Sequence, residues 1–409
     1  MKAFALLSGL ACAALLSAAE SPDGATLVTA GNSSINAREV TLAAEGKDLL
    51  VNYVDVGGQP GTLKAADVVE IVLNGGRPGV TAKPALDDIE LALTSGDVLF
   101  GKVGAKSEDG IQLISPAFSN PLVKFGQIRS AVFSANRQFL PLRLPEKAET
   151  ADIVFTQAGD RAEGTVLSIS KTGVIYKSKR LDTEVTVPIE KAAGIWMIET
   201  DSPPKDPASL HATVLTSDGS SVRGEIQSLK EGALTLKDLY GSVHKIPANL
   251  LSGIYMKNGR VVYLSDMKPS SVDEDANFIR GAKKLSSDLD FPYQRDRSAR
   301  GGKLILGGVE HRKGVGVRAR SQLGYSLEGG FKRFQATLGL DAASMGLGAV
   351  KVEIEVDGKK VKEAGLKGND VPQAIDIDVT GAKDLRLLVT WAGFGQSDFV
   401  DWGSARLIR

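Results

Sequence analysis

Along most of the chain, apolar and polar residues alternate with a period of two and helical periodicity is nearly absent, which predicts β-strands throughout. In the first two-thirds the strands fall into a repeat. Gly96-Asp97, Gly159-Asp160 and Gly219-Ser220 are each followed, five positions after the first glycine, by Gly101, Gly164 or Gly224, and the three starts lie 63 and 60 residues apart. An alternating run precedes each turn: Ile89 to Leu93, Ile153 to Phe155 and Ala212 to Leu215. An apolar pair closes each copy, at Val132-Phe133, Ile195-Trp196 and Ile254-Tyr255. Eight residues before each pair, Lys124, Val187 or Ile246 opens a short segment that reads as a final turn and strand. A weaker copy upstream puts Gly31-Asn32 and Asn36 in the first positions and Leu63 to Ile71 at the close.

Four modules of five-strand size are therefore expected, at 20–80, 86–140, 150–200 and 208–260, the first degenerate. Joints rich in proline and glycine separate them at Asn74 to Pro78, Pro141 to Pro145 and Asp201 to Pro207. The order of strand, Gly-Asp turn, glycine kink, strand, loop and short closing strand resembles the Sm-like and SH3-like barrels. A lone Asp beside Gly reads as a hairpin turn needing positive φ rather than as a metal loop. His211, ahead of a strand, and His244, in the fourth module, have no second ligand at metal spacing and read as surface or half-buried imidazoles.

From Val261 the strands lengthen. Phe334, Ala336, Leu338 and Leu340 alternate, as do Val352, Ile354 and Val356 before Asp357-Gly358, and Ile375, Ile377 and Val379 before Gly381. With turn signals between them, these predict an antiparallel β-sandwich over 261–409. Glu353 and Glu355 share the polar face of one such strand and read as solvated rather than as a catalytic acid pair.

The same segment carries a chain of motifs: Tyr263-Leu264-Ser265-Asp266, Asp296-Arg297-Ser298, Leu304 to Gly308, Lys313 to Val317, Tyr325-Ser326-Leu327, Phe334 to Asp341, Val356-Asp357-Gly358 and Asp401 to Leu407. Their order and spacing resemble the NPCBM family of carbohydrate-binding modules. The resemblance implies an all-β protein ending in a jelly-roll, galactose-binding-like sandwich, found on glycoside hydrolases and on other secreted proteins. At two positions the sequence departs from the family, with Arg318 and Phe399 where relatives usually carry histidine.

Sugar recognition needs an aromatic face and planar polar groups, usually on loops at one end of a sandwich. The stretch Trp391 to Asp398 has that mix, and Trp391, Phe394, Gln396 and Asp398 are candidate glycan contacts together with Arg318 and Tyr293, the latter in the loop Phe291 to Asp296. Trp391 has a second reading as an inward-packed strand end, and Trp402 reads as core. Structural calcium is frequent in such sandwiches, and Asp341 and Asp357 are the weak candidates to hold it.

Composition narrows the function classes. Glycine, at 45 of 409 residues, is enriched and aromatics are 6%, which favours turn-rich β structure. The 49 basic and 49 acidic residues cancel, so no whole-chain field draws the protein to nucleic acid or an anionic membrane. The segment 261–409 holds 23 basic against 20 acidic residues. Met1-Lys2, the apolar Ala3 to Leu16 and Ser17-Ala18-Ala19 read as a secretory signal peptide over 1–19, with Cys12 as a lipoprotein site the alternative. Cleavage would remove the only cysteine and leave no membrane span. The expected product is a secreted or periplasmic, envelope-located, non-catalytic protein whose partner is a glycan or polysaccharide. A protein-interaction component of the cell envelope is the alternative.

Overall fold

The computed structural model describes residues 24–31, 33–73, 84–140, 148, 150–200, 202–274, 291–392 and 397–409. The proposed signal segment, the joints at 74–78 and 141–145, and the candidates Phe394 and Gln396 lie outside the described residues. The chain divides into two compact units, Met1–Lys257 and Asn258–Arg409. Among the described residues no helix is long and apolar enough to cross a membrane.

Among the described residues, the first unit holds twenty antiparallel strands joined in one hydrogen-bonded network. They come in four sets of five. The first set is β1 (Ala25–Thr29), β2 (Ser34–Glu45), β3 (Asp48–Asp55), β4 (Pro60–Lys64) and β5 (Val68–Leu73). The second is β6 (Asp88–Leu93), β7 (Val98–Val103), β8 (Gly110–Ile114), β9 (Leu122–Lys124) and β10 (Ile128–Phe133). The third is β11 (Asp152–Thr156), β12 (Arg161–Ser170), β13 (Gly173–Ser178), β14 (Glu184–Pro188) and β15 (Ala192–Trp196). The fourth is β16 (His211–Thr216), β17 (Ser221–Lys230), β18 (Ala233–Asp238), β19 (Val243–Pro247) and β20 (Leu251–Lys257).

In every set the last strand returns to pair with the first: β5 with β1, β10 with β6, β15 with β11 and β20 with β16. The closing strands then use their second edges on one another. β10 pairs β15, with Ala131 opposite Ile195, and β20 pairs β5, with Ile254 opposite Ile71. Module two is thereby zipped to module three, and module one to module four. A closing strand hydrogen-bonded on both sides and covered on its faces should be apolar throughout, which accounts for the runs Ser130-Ala131-Val132-Phe133 and Ala192 to Trp196.

The repeated glycines have two different jobs. Gly96, Gly159 and Gly219 adopt φ of +92°, +81° and +95°, the left-handed turn geometry of a short hairpin. That hairpin is closed by the same bond in each copy: Leu93 N–H to Asp97 O, Thr156 N–H to Asp160 O and Thr216 N–H to Ser220 O. Gly101, Gly164 and Gly224 instead lie against the neighbouring strand, where an added Cβ would stand 2.6, 2.1 and 2.2 Å from the carbonyl oxygens of Ile114, Lys177 and Lys237. In the first module the equivalent bond is Thr29 N–H to Ser33 O, so Ser33 takes the place of Asp97, and Ala37 rather than Asn36 that of Gly101; Asn32 lies outside the described residues.

Packing of the modules buries both histidines, against the expectation of surface or half-buried rings. His211 is 3% exposed, with Nδ1 3.0 Å from Ser209 O. His244 is 9% exposed, with Nε2 2.8 Å from Asp238 Oδ2 and its ring edge-on to Phe118 of module two.

In the second unit, two antiparallel sheets enclose one core. The first holds β21 (Val261–Tyr263), β23 (Gln294–Arg295), β26 (Gly314–Arg318), β28 (Arg333–Leu340), β31 (Gln373–Asp378) and β33 (Phe399–Ile408), in the order β23-β26-β33-β28-β31 with β21 also on β33. The second has the order β22 (Ser271–Glu274), β27 (Ser321–Ser326), β32 (Asp384–Trp391), β29 (Ala349–Val356) and β30 (Lys359–Lys367). Phe334, Leu338, Val400 and Trp402 from one sheet meet Leu323, Val352, Ile354, Leu387 and Val389 from the other. The predicted alternation is thus the core face, and Trp402, fully buried, is part of it. Glu353 lies on the outward face of β29, ion-paired to Lys351 at 2.9 Å.

Candidate functional site

The candidate residues are set by one end of the sandwich. β26 finishes there at Arg318, β32 at Trp391, β29 begins at Ala349, and β33 begins at Phe399. The connections are tied together by Asp398: its carbonyl accepts from Ala319 N–H at 3.0 Å, and its Oδ1 accepts from Ala349 N–H at 2.8 Å. Ala392 N–H donates to Ala349 O at 3.0 Å, and Gly368 N–H to Gly348 O at 2.9 Å, which brings the loop after β30 to the same end.

Trp391 continues the inward register of Leu385, Leu387 and Val389, opposite Val350 on β29. At the strand end it runs past the core, and the residue is 37% exposed. It therefore sits in the core's register and also offers surface, which reconciles its two sequence readings. Near it Met345, Leu347 and Val371 are 71, 70 and 82% exposed, on two loops that touch where Gly346 approaches Asn369.

Asp398 is 1% exposed, so it shapes the loops rather than presenting a carboxylate to solvent. Burial raises its pKa, against the pull of the Ala349 N–H and the Arg318 charge. Arg318 is half-buried, its guanidinium carbon 5.4 Å from the Phe291 ring centre and 5.9 Å from that of Phe399. The two rings meet edge to face at 5.3 Å. Arg318 and Phe399 are direct cross-strand partners, so the two departures from the family pattern are one contact, a guanidinium on an aromatic ring. Tyr293 is packed against the sandwich core with its N–H bound to Glu274 Oε1 at 2.7 Å, and is not gathered with Arg318 and Asp398 by any of these bonds.

Sequence reasoning missed Arg300. Its guanidinium lies 5.5 Å from the Phe399 ring centre, and a single arginine in a charged loop carries no signal of that. It is placed by close seating of 297–300 on β26: a Cβ at Gly316 would stand 2.4 Å from Arg297 O and 2.7 Å from Ala299 N.

The two calcium candidates are otherwise employed. Asp357, at the far end of β29, accepts from Lys383 N–H and Asp384 N–H at 2.8 and 2.9 Å, which holds its pKa below the usual range. Asp341, 4% exposed, accepts from Ala343 N–H at 2.7 Å and faces Asp401, which is fully buried. Burial first, then the hydrogen bond and charge of Asp341, push Asp401 up to about 10. With both groups ionised Asp341 Oδ2 has no donor, and a proton carried by Asp401 can be donated to it. Among the described residues no group of three or more His, Cys, Asp or Glu is placed to hold a metal ion.

Residues 260–408 match the NPCBM/NEW2 domain model. A curated relative, the "Putative endo-alpha-N-acetylgalactosaminidase" of Renibacterium salmoninarum, is 30% identical over 111 residues, 26% of this chain; the match spans only 7% of that protein's length. Among solved structures, the CBM51 of Clostridium perfringens GH95 in complex with methyl-galactose matches at 25% identity and TM-score 0.31, over 36% of this chain and 99% of that one. The CBM51-2 and INT domains of Clostridium perfringens ZmpB, in complex with GlcNAc, match at 20% identity and TM-score 0.32, over 43% of this chain and 36% of that one.

Proposed function

We propose that the 258–409 unit binds a glycan reversibly and without catalysis, at the end of the sandwich where Trp391 is exposed. The exposed ring carries the reading. A flat apolar surface at a loop-built mouth is what the C–H face of a pyranose stacks on, with side chains around it to meet hydroxyls. The match of 260–408 to the NPCBM/NEW2 domain supports it, as does the name of the curated relative, "Putative endo-alpha-N-acetylgalactosaminidase". The 1–257 unit is then a spacer of small Sm-like or SH3-like barrels in an exported, envelope-located protein.

The test is a glycan array probed with the 409-residue chain and with Trp391→Ala, each checked for folding by circular dichroism. Binding by the wild type and its loss in the variant are the expected results. A folded wild-type chain that binds no glycan would overturn the reading. A second reading, docking of an envelope protein, is favoured by the exposed Met345, Leu347 and Val371 at the same end. Under it, polar substitution of those three residues removes a crosslinked partner while glycan binding is absent throughout.

A further inference from the structure

At the same end of the sandwich as Trp391, the face built by Arg300, Arg318, Phe291 and Phe399 has a chemistry that neutral sugar binding does not use. The two guanidiniums lie 5.5 and 5.9 Å from the Phe399 ring centre. A guanidinium held over a ring by cation–π attraction keeps N–H donors on its outer edge, a fork that matches a carboxylate. For Arg318 the charge is met in part by Asp398 beneath it. Arg300 is different. It is exposed, and among the described residues no carboxylate is within ion-pair distance of it.

Three acids among the described residues of this unit already have partners. Asp296 is bound by Lys313 at 2.6 Å, Asp273 by Arg320 at 2.9 Å, and Asp398 by the Ala349 N–H. The loop bearing Arg300 is fixed as well: Ser298 N–H donates to Gly302 O at 3.0 Å, Gly301 N–H to Ser298 O at 2.7 Å, and Arg300 N–H to Ser298 Oγ at 3.3 Å. An arginine held over a buried ring, on a loop seated against a strand, meets an anion at a smaller cost in side-chain entropy than a free one.

We infer that this face selects a glycan carrying a carboxylate, a uronic or sialic type of sugar, with Arg300 as the specificity-determining residue. The inference rests on the glycan-binding reading above and narrows its ligand class.

The experiment is calorimetric titration of the 409-residue chain with galactose, N-acetylgalactosamine, galacturonic acid and N-acetylneuraminic acid, at low and high NaCl. The acidic sugars should bind about ten-fold tighter than the neutral ones, and that advantage should shrink with salt as a charge-assisted contact does. Arg300→Gln should abolish the preference while leaving neutral binding in place, and Arg300→Lys should retain part of it. Lys360→Gln on β30, the same charge change in the other sheet, should leave it intact. Binding to neutral sugars alone, indifferent to salt and to Arg300→Gln, would overturn the inference and leave the glycan reading standing. Binding to none of the four sugars here and to nothing on the array would overturn both.

Discussion

Two carboxyls, Asp341 just past the end of β28 and Asp401 on β33, lie under the hairpin of β24 (Leu304–Leu306) and β25 (Val309–His311), which the sheet accommodates by having no Cβ beneath it at Gly339 and Gly403. A Cβ at Gly339 would stand 3.0 Å from the Leu306 side chain, and one at Gly403 would stand 2.7 Å from the His311 ring. Water is kept out, so the pair retains a proton that an unfolded chain would release near the ordinary aspartate range. The folded pKa is the raised one. The pair's stabilising contribution is therefore complete at acid pH, below the unfolded value, and is lost as pH climbs toward about 10. Between those limits the folded unit holds about one extra proton, and stability should fall by up to about 1.4 kcal/mol per pH unit from this pair alone. Asp401→Asn keeps the shape, replaces the shared proton with a permanent donor and should flatten the slope. Urea unfolding of both proteins at about pH 6 and about pH 9 decides it, since parallel pH profiles would mean the pair does not hold a proton.

At the scale of elements, each module depends on a hairpin and a close strand approach that use glycine for unrelated reasons, and substitutions should separate them. Gly159 has φ of +81° and an added Cβ there would meet nothing within 4 Å, so Gly159→Ala should cost only the left-handed strain, about 1 kcal/mol, and Gly159→Asn less. Gly164 sits where a Cβ would meet the Lys177 carbonyl at 2.1 Å, so Gly164→Ala should force β12 from β13 and cost about 1–3 kcal/mol or more. Thermal melts of the three variants check the order, and equal losses at both positions would refute it. In the second unit, Lys313 ties β26 to two other segments through Asp266 at 2.8 Å and Asp296 at 2.6 Å. Burial works against its charge, but the two carboxylates outweigh that and hold its pKa above the ordinary lysine value. Lys313→Ala leaves both acids without their cation; because each carboxylate keeps some solvent, it should destabilise the unit by about 1–3 kcal/mol, measurable by urea unfolding. These local devices are what the sequence makes readable: turn glycines, period-two alternation and the buried register of Trp402 are all short-range signals. What covers a residue is long-range, which is why Asp341, Asp398, His211 and His244 were legible as residue types but not as buried groups, and why Arg300 was not visible at all.

At the scale of the first unit, the four copies share strands and a core and should open as a single cooperative object. Modules one and four, and two and three, share closing strands, and one apolar core runs through all four sets, from Leu27 and Ile71 to Ile111, Ile195 and Ile254. No sequence pattern distinguishes these partners, because the closing strands β5, β10, β15 and β20 are similar apolar runs and any two could pair. Polar contacts fix a further choice, module two against module four. Arg223 on β17 reaches Asp97 Oδ1 at 2.7 Å and Asp206 Oδ1 at 2.6 Å, and Tyr240 shares a hydrogen bond with Thr94 at 2.8 Å. Asp97 is 3% exposed, and burial raises its pKa against the opposing pull of Arg223. Removing the cation should therefore do more harm than removing the anion. Arg223→Ala strands a buried carboxylate and should cost about 3–5 kcal/mol, whereas Asp97→Asn leaves a neutral group that still accepts from Arg223 and should cost less. Hydrogen exchange read by mass spectrometry locates the effect: in Arg223→Ala, protection should fall together in β6, β7, β16 and β17, and through the shared closing strands in β10 and β20. Loss confined to module four would show instead that the modules open independently.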